Sequence, residues 1–274
     1  MRNARGFTLV EIAIVLVIVG MIVALFATIT STLISSQRRQ TTVAHLNAVD
    51  SALIQFVVQN QRLPCPADGQ IAAGTAGAGT EGARNAGGCV LQARGVVPWV
   101  ALGMGEQDAT DGWGKRITYR VWDALALAGG MNMTLCDPAG TGAVAPGNIC
   151  SACASGASMA TCTSPSNFLA GKGYPVQNVA GTVLMTPPSG AAYVLISHGE
   201  SGGGGYTSAG VLAPTTSTDG TEEQKNYANL AIQAYYVDSE ISDVAGATHF
   251  DDVVVRSTVL NVATRAGLGP RAHP

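Results

Sequence analysis

Ile12-Ala13-Ile14-Val15-Leu16-Val17-Ile18-Val19-Gly20-Met21-Ile22-Val23-Ala24-Leu25-Phe26 is apolar throughout, and no charged residue occurs from Ile12 to Gln37. A run of this kind is long enough to cross the roughly 30 Å hydrocarbon core of a bilayer as a helix. A core helix of a soluble protein would alternate apolar and polar faces. A cleaved secretory signal would be shorter and would end in a small-residue cleavage site. Here the helical pattern runs on instead. No proline occurs from Phe7 to Leu63 and Gly20 is the only glycine inside that stretch. The sequence therefore predicts one continuous helix to about Asn60, ended near Pro64, because the residue before a proline disfavours the helical conformation.

The second half of that helix has a different character. Val43, Leu46, Val49, Leu53 and Phe56–Val57 recur at intervals of three to four residues, while Gln40, His45, Asn47, Gln55 and Gln59 occupy the opposite face. An amphipathic stripe of this kind lies against something. Glu11 stands at the start of the apolar run. A carboxylate there either stays wet at headgroup level or awaits a partner, because an unpaired charge in hydrocarbon costs several kcal/mol.

The rest of the 274 residues are consistent with one extracytoplasmic domain. Charged residues make up only 12%, glycine reaches 34 residues, and the net charge is −3 with a pI near 5.8, so no basic nucleic-acid footprint is present. Arg2 and Arg5 precede the apolar run and Arg38 and Arg39 follow it, so charge counting does not orient the segment. The cysteines do. All six, Cys65, Cys89, Cys136, Cys150, Cys153 and Cys162, fall after the helix, and an even set beyond a membrane segment indicates disulfides in an oxidising compartment. Loop spacing favours a Cys65–Cys89 pair, with the other four in a second cluster whose pairing stays open. Four zinc thiolates are the competing reading, but zinc sites normally show two close pairs and only Cys150–Cys153 is one.

Strand signals follow the helix. Asp111-Gly112-Trp113-Gly114-Lys115 is a turn, Arg116–Trp122 alternates as a half-buried strand, and Ala192–Ser197 and Asp252–Val259 are apolar or β-branched runs. Glu222–Leu230 has the composition of a short helix, residues 134–190 form an irregular, disulfide-stapled insertion, and Trp99, Trp113 and Trp122 are expected as core anchors. The expected class is α+β: a long N-terminal helix, transmembrane in its first half and amphipathic in its second, packed on an antiparallel sheet.

Gly6-Phe7-Thr8-Leu9-Val10-Glu11, behind a short leader holding Arg2 and Arg5, resembles the prepilin peptidase site of type IV pilins and type II secretion pseudopilins. The resemblance implies cleavage between Gly6 and Phe7, methylation of the new Phe7 amine, and a Glu11 carboxylate that pairs with the amine of a neighbouring subunit. It implies residues 1–6 as leader, 7–36 as transmembrane and assembly helix, 37–60 as its amphipathic continuation and 61–274 as the globular domain. It also implies a non-catalytic minor pilin or pseudopilin, held in the bacterial inner membrane by a single pass with its domain in the periplasm, then carried into a filament or to the cell surface. The implied partners are prepilin peptidase, other pilin or pseudopilin subunits, an inner-membrane assembly platform and the lipid bilayer. Gln61–Pro66 and the Asp111–Gly114 turn are similar to the corresponding parts of pseudopilins. Many pilins carry a proline in the embedded half, and this chain does not.

Two further motifs bear on chemistry. Ser197-His198-Gly199-Glu200-Ser201-Gly202-Gly203 resembles the loop that helps bind calcium in major pseudopilins, with Asp219, Glu222, Asp238, Asp251 and Asp252 as candidate carboxylate ligands. The ordinary reading is solvated loop acids, and no cofactor is expected. Gly199–Gly203 also fits the nucleophile elbow of α/β-hydrolases, and Ser201, Asp238 or Asp243, and His249 fall in the matching order. The alternative function is thus a membrane-anchored extracytoplasmic serine hydrolase. Against it, an elbow needs a helix directly after the serine, and Gly202–Gly205 is poor helix sequence.

Overall fold

In the computed structural model the described residues are 9–134, 168–214, 219–244 and 246–269, with side chains described outside 24–32. Helix α1 (Leu9–Asn60) is continuous over 52 residues, as the absence of helix breakers predicts. It ends where Gln61 adopts a left-handed φ of 55° and its N–H bonds the carbonyl of Val57 at 2.8 Å, a turn before Pro64.

Next come the short strands β1 (Ala67–Asp68), β2 (Arg84–Asn85), β3 (Gly88–Cys89), β4 (Gly95–Val96) and β5 (Lys115–Arg116). They are followed by β6 (Thr118–Val121), helix α2 (Asp123–Ala126), β7 (Val176–Gln177), β8 (Val183–Met185) and β9 (Ala191–Ser197). The chain closes with β10 (Tyr206–Thr207), β11 (Tyr236–Val237), β12 (Val253–Thr258) and helix α3 (Val259–Arg265). The main sheet has the order β1-β4-β6-β9-β12 and its pairs are antiparallel. A smaller sheet, β11-β7-β8, contains a parallel β11–β7 pair. The class is α+β, with the helix packed on the sheet.

Register sets the two faces. Tyr119 opposes Leu195 and Val121 opposes Tyr193, and across β12 Val255 and Ser257 oppose the same two β9 residues. This row faces α1. Leu46, Val49, Leu53 and Val57 of the helix are fully buried in the same cluster as Tyr119, Tyr193 and Leu195. Each fully buried aliphatic side chain contributes about 2 kcal/mol to docking. Val43, placed on this stripe by its spacing, is exposed. Thr42 takes its place because the Asp111–Gly114 turn approaches the helix there, and a hydroxyl can bond that turn.

β12, within the expected 252–259 run, is an edge strand of the main sheet, whereas the expected half-buried strand Arg116–Trp122 divides: Arg116 ends β5, which pairs with β10, and β6 is an interior strand buried along its length, as β9 is. Only Glu223–Asn226 of the expected 222–230 helix is helical, and that as a 3-10 turn. Trp99 is buried, while Trp122 and Trp113 are half-buried. Helix α3 was not anticipated. Thr258 caps it by accepting a hydrogen bond from Asn261 N–H at 3.1 Å.

Cys65 and Cys89 form a disulfide across 24 residues of sequence. Arg62 and Glu81 support its base, with Arg62 Nη1 donating to Glu81 Oε1 at 2.6 Å and Cys65 N–H to the same oxygen at 3.0 Å. Cys136, Cys150, Cys153 and Cys162 lie outside the described residues. In a Cys65→Ser/Cys89→Ser variant, unfolding free energy falls by about 3 kcal/mol, as expected for a loop of this length. Denaturant titration under non-reducing conditions checks this.

Candidate functional site

The functional candidate is α1 itself, which the domain grips at one end and leaves uncovered at the other. From Leu9 to Val23 every side chain is exposed, among them Leu9 (86%), Leu16 (65%) and Met21 (66%). Large apolar surface left open by the chain's own core marks a lipid-facing or subunit-facing surface. Glu11 sits in the first turn of the helix, where the positive end of the helix dipole favours an acid. Gly6 and Phe7 lie outside the described residues. No helix is long and apolar enough to cross a membrane among the described residues, whose side chains in this half are those of 9–23.

The grip is built from polar contacts as well as packing. Asp50 is buried on the inner face of α1 and receives three donors from three elements: the Tyr193 hydroxyl of β9, the Ser257 hydroxyl of β12 at 3.1 Å, and Arg265 Nη1 of α3 at 2.6 Å. Burial and the adjoining carboxylate push the Tyr193 phenol well above its usual range, so it remains a donor. Hydrogen bonding to Asp50 raises Arg265. Sequence reading missed Asp50. The available signal was an acid four residues after Leu46, inside the apolar stripe.

Nearer the exposed half, the Asp111–Gly114 turn docks on the helix. Gly112 N–H donates to Thr42 Oγ1 at 2.9 Å, and Thr42 in turn donates to the Arg38 carbonyl at 2.9 Å. His45 Nδ1 bonds the Thr110 carbonyl at 2.5 Å. The turn is held by Asp111, whose carboxylate accepts from Trp113 N–H (3.0 Å), Lys115 N–H (2.8 Å) and the Ser197 hydroxyl (2.7 Å). Burial pushes that carboxyl above its usual range, against the pull of the donors. A Cβ on Gly112 would lie 2.3 Å from the Arg38 carbonyl oxygen, and backbone cannot yield there. Gly112→Ala therefore lifts the turn off α1 and destabilises the protein by about 1–3 kcal/mol, the usual cost of overpacking. Thermal unfolding, with exchange protection of the Thr110–Lys115 amides, checks this.

A family model described as the prokaryotic N-terminal methylation motif matches residues 1–27. This chain carries the type IV pilin and pseudopilin signature. No curated protein and no solved structure matches it. The match takes in the first turns of α1 and the apolar run as far as Phe26, ahead of the part of the helix that packs on the sheet.

The loop after β9 is a second cluster of titratable groups. Glu223, His249 and Asp251 each bring one ligand-type atom within 4.8 Å of the others. Of the sequence candidates, Asp251 belongs to this group, whereas Glu222 pairs with Lys225 at 2.6 Å and Asp238 with Arg256 at 2.8 Å. Asp219 accepts from the Tyr227 hydroxyl at 2.5 Å and Asp252 from Asn226 Nδ2 at 2.8 Å. Glu223 was missed in favour of its neighbour, because only the 3-10 turn points it inward. Burial raises Asp251 to about 6 and Asp252 well above the carboxylate range. Burial lowers His249, but its bond to Glu223 more than offsets this and the net shift is upward. The carboxylates are thus engaged by the protein's own donors, which close the loop.

The hydrolase relay does not assemble. The Ser201 hydroxyl bonds Asp251 Oδ1 at 3.1 Å and the His198 carbonyl at 3.3 Å, while His249 Nδ1 bonds Glu223 at 2.9 Å. Residues 199–205 form turns where an elbow requires a helix. His198, inside the same loop, is fully buried and held neutral by burial, with a pKa lowered to about 3.

Proposed function

We propose that this protein is a structural subunit, a minor pilin or pseudopilin, of a type IV pilus or type II secretion-like filament. Prepilin peptidase cuts between Gly6 and Phe7, the Phe7 amine is methylated, and Glu11 pairs with the amino terminus of a neighbouring subunit. One observation supports this most directly. The methylation motif over residues 1–27 opens a helix whose apolar surface the protein's own core does not cover, although the same helix is tightly held from Thr42 to Val57. Such a helix needs lipid before assembly and other helices afterwards, since apolar side chains in water are unfavourable. The charge-free run from Ile12 to Gln37 supplies the length for a single pass. On this reading residues 7–36 embed, 37–60 carry the domain, and 61–274 stand in the periplasm, where the Cys65–Cys89 disulfide persists.

Mass spectrometry of the protein purified from its native membrane tests the reading. The expected N-terminal peptide begins at Phe7 and carries one extra methyl group. A mature chain that still begins at Met1 overturns it.

A further inference from the structure

Three side chains from two segments meet beside the loop after β9. Glu223 comes from the 3-10 turn, and His249 and Asp251 from the stretch before β12. Each brings one ligand-type atom within 4.8 Å of the other two. Glu223 and Asp251 are 1% and 6% exposed, while the His249 side chain keeps 13% of its surface open. His249 Nδ1 and Glu223 Oε2 stand 2.9 Å apart. Backbone amides aim both carboxylates. Glu223 accepts from Gly220 N–H at 3.0 Å and Asp251 N–H at 2.8 Å, and Asp251 accepts from Ser201 N–H at 2.6 Å. A carboxylate has about four acceptor sites, so these bonds fix the oxygens and leave lone pairs over. Outer hydrogen bonds of this kind hold metal-ligating carboxylates in place.

Positive charge is scarce around them. Among the described residues no Lys or Arg pairs with Glu223, Asp251 or the adjoining Asp252. His198 lies 3.7 Å from Asp252, but it is fully buried and neutral, and its Nδ1 has no hydrogen-bond partner among those residues. Three buried carboxylates thus share one imidazole able to carry charge, that of His249. Ionised carboxylates are buried at high cost unless compensated. A divalent cation compensates the Glu223 and Asp251 pair while His249 stays neutral. The donor set selects its kind. One imidazole nitrogen and two carboxylate oxygens suit an ion that takes three protein ligands and a water. Calcium takes six to eight oxygens. Glu222 and Asp238, two acids of the calcium-loop resemblance, are instead paired with Lys225 and Arg256.

We propose that Glu223, His249 and Asp251 bind a divalent transition-metal ion of the zinc class, with water completing the coordination from the side where His249 meets solvent. The cation takes the place of the proton that joins His249 to Glu223. Because Asp251 also holds Ser201, the ion clamps the loop after β9 to the 3-10 turn. This proposal is independent of the filament reading.

The test uses the full-length chain in detergent, non-reduced and with any free thiols alkylated, so that the four cysteines outside the described residues take no metal. The protein is stripped with EDTA, moved to chelator-free buffer and titrated with zinc chloride, with calcium chloride and magnesium chloride as parallel arms. One zinc per chain is expected, with a Tm rise of roughly 5–10 °C at a hundred times the half-saturating concentration. Calcium and magnesium at the same concentration are expected to leave Tm unchanged. His249→Gln removes the nitrogen ligand and weakens zinc binding by about a hundredfold or more. If that variant does not fold, Asp251→Asn, which keeps the shape of the side chain, decides by the same measure. X-ray absorption of the zinc-loaded protein is expected to show nitrogen and oxygen neighbours at about 2.0–2.2 Å and no sulfur. A Tm independent of zinc, wild-type zinc affinity in both variants, a calcium response as large as that to zinc, or a sulfur neighbour overturns the proposal.

Discussion

Glu11→Ala is expected to leave the protein in the membrane fraction and to remove it from filaments. The apolar run proposed to hold the helix in lipid is untouched by the substitution, so insertion is expected to persist. What disappears is the carboxylate that, on the proposed reading, meets a neighbour's amine. In a water-poor setting, removing one partner of such a pair costs about 3–5 kcal/mol, since the remaining charge is left uncompensated. At fixed subunit concentration that lowers incorporation by roughly a hundredfold or more. Fractionation followed by immunodetection on sheared filaments separates the two outcomes. Glu11→Asp keeps the charge but shortens its reach, and an intermediate level is expected. Incorporation of the alanine variant at the wild-type level removes Glu11 from the assembly mechanism.

The second large effect is on stability. Asp50→Ala strips the acceptor from Tyr193, Ser257 and Arg265 at once. Tyr193 is fully buried, so its hydroxyl is left without a partner and without water. The expected loss is about 3 kcal/mol or more, combining an orphaned buried donor with a broken charged hydrogen bond. Tyr193→Phe, which removes the donor and leaves no orphan on its own side, costs less, about 1 kcal/mol. Denaturant unfolding in detergent, followed by fluorescence, measures both. Equal losses in the two variants would mean that the aspartate is not the hub. Because Asp50 ties α1 to β9, β12 and α3 together, the alanine variant also loosens the helix on the sheet, and protection of the Leu46–Val57 amides falls with it.

These two acids differ in how visible they are. Glu11 stands out in the chain because it is a charge at the edge of a long apolar run. Asp50 looks like an ordinary helix acid, and only the convergence of three distant residues makes it the anchor. The same holds for Arg116. It reads as the first residue of a strand, yet it is fully buried, donates to Glu106 at 2.7 Å and to the carbonyls of Gly69, Ile71 and Ser208, and lies over Trp99.

By itself the sequence determined the continuous helix, its apolar and amphipathic halves, the N-terminal methylation motif, strands within 116–122, 192–197 and 252–259, and the Cys65–Cys89 pair. These are legible because they depend on local periodicity, on the absence of breakers, and on a short loop between two cysteines. The covered face of the second half was legible too, from Leu46, Val49, Leu53 and Val57, but tertiary structure alone placed Thr42 rather than Val43 against the domain. It also chose Glu223 over Glu222 for the loop cluster, gave His249 to Glu223 and Ser201 to Asp251 as hydrogen-bond partners, and buried Asp50, Arg116 and Arg120. Each of those outcomes rests on contacts between residues far apart in the chain, where a hydrogen-bond partner or a missing Cβ, not a pattern, sets the energy.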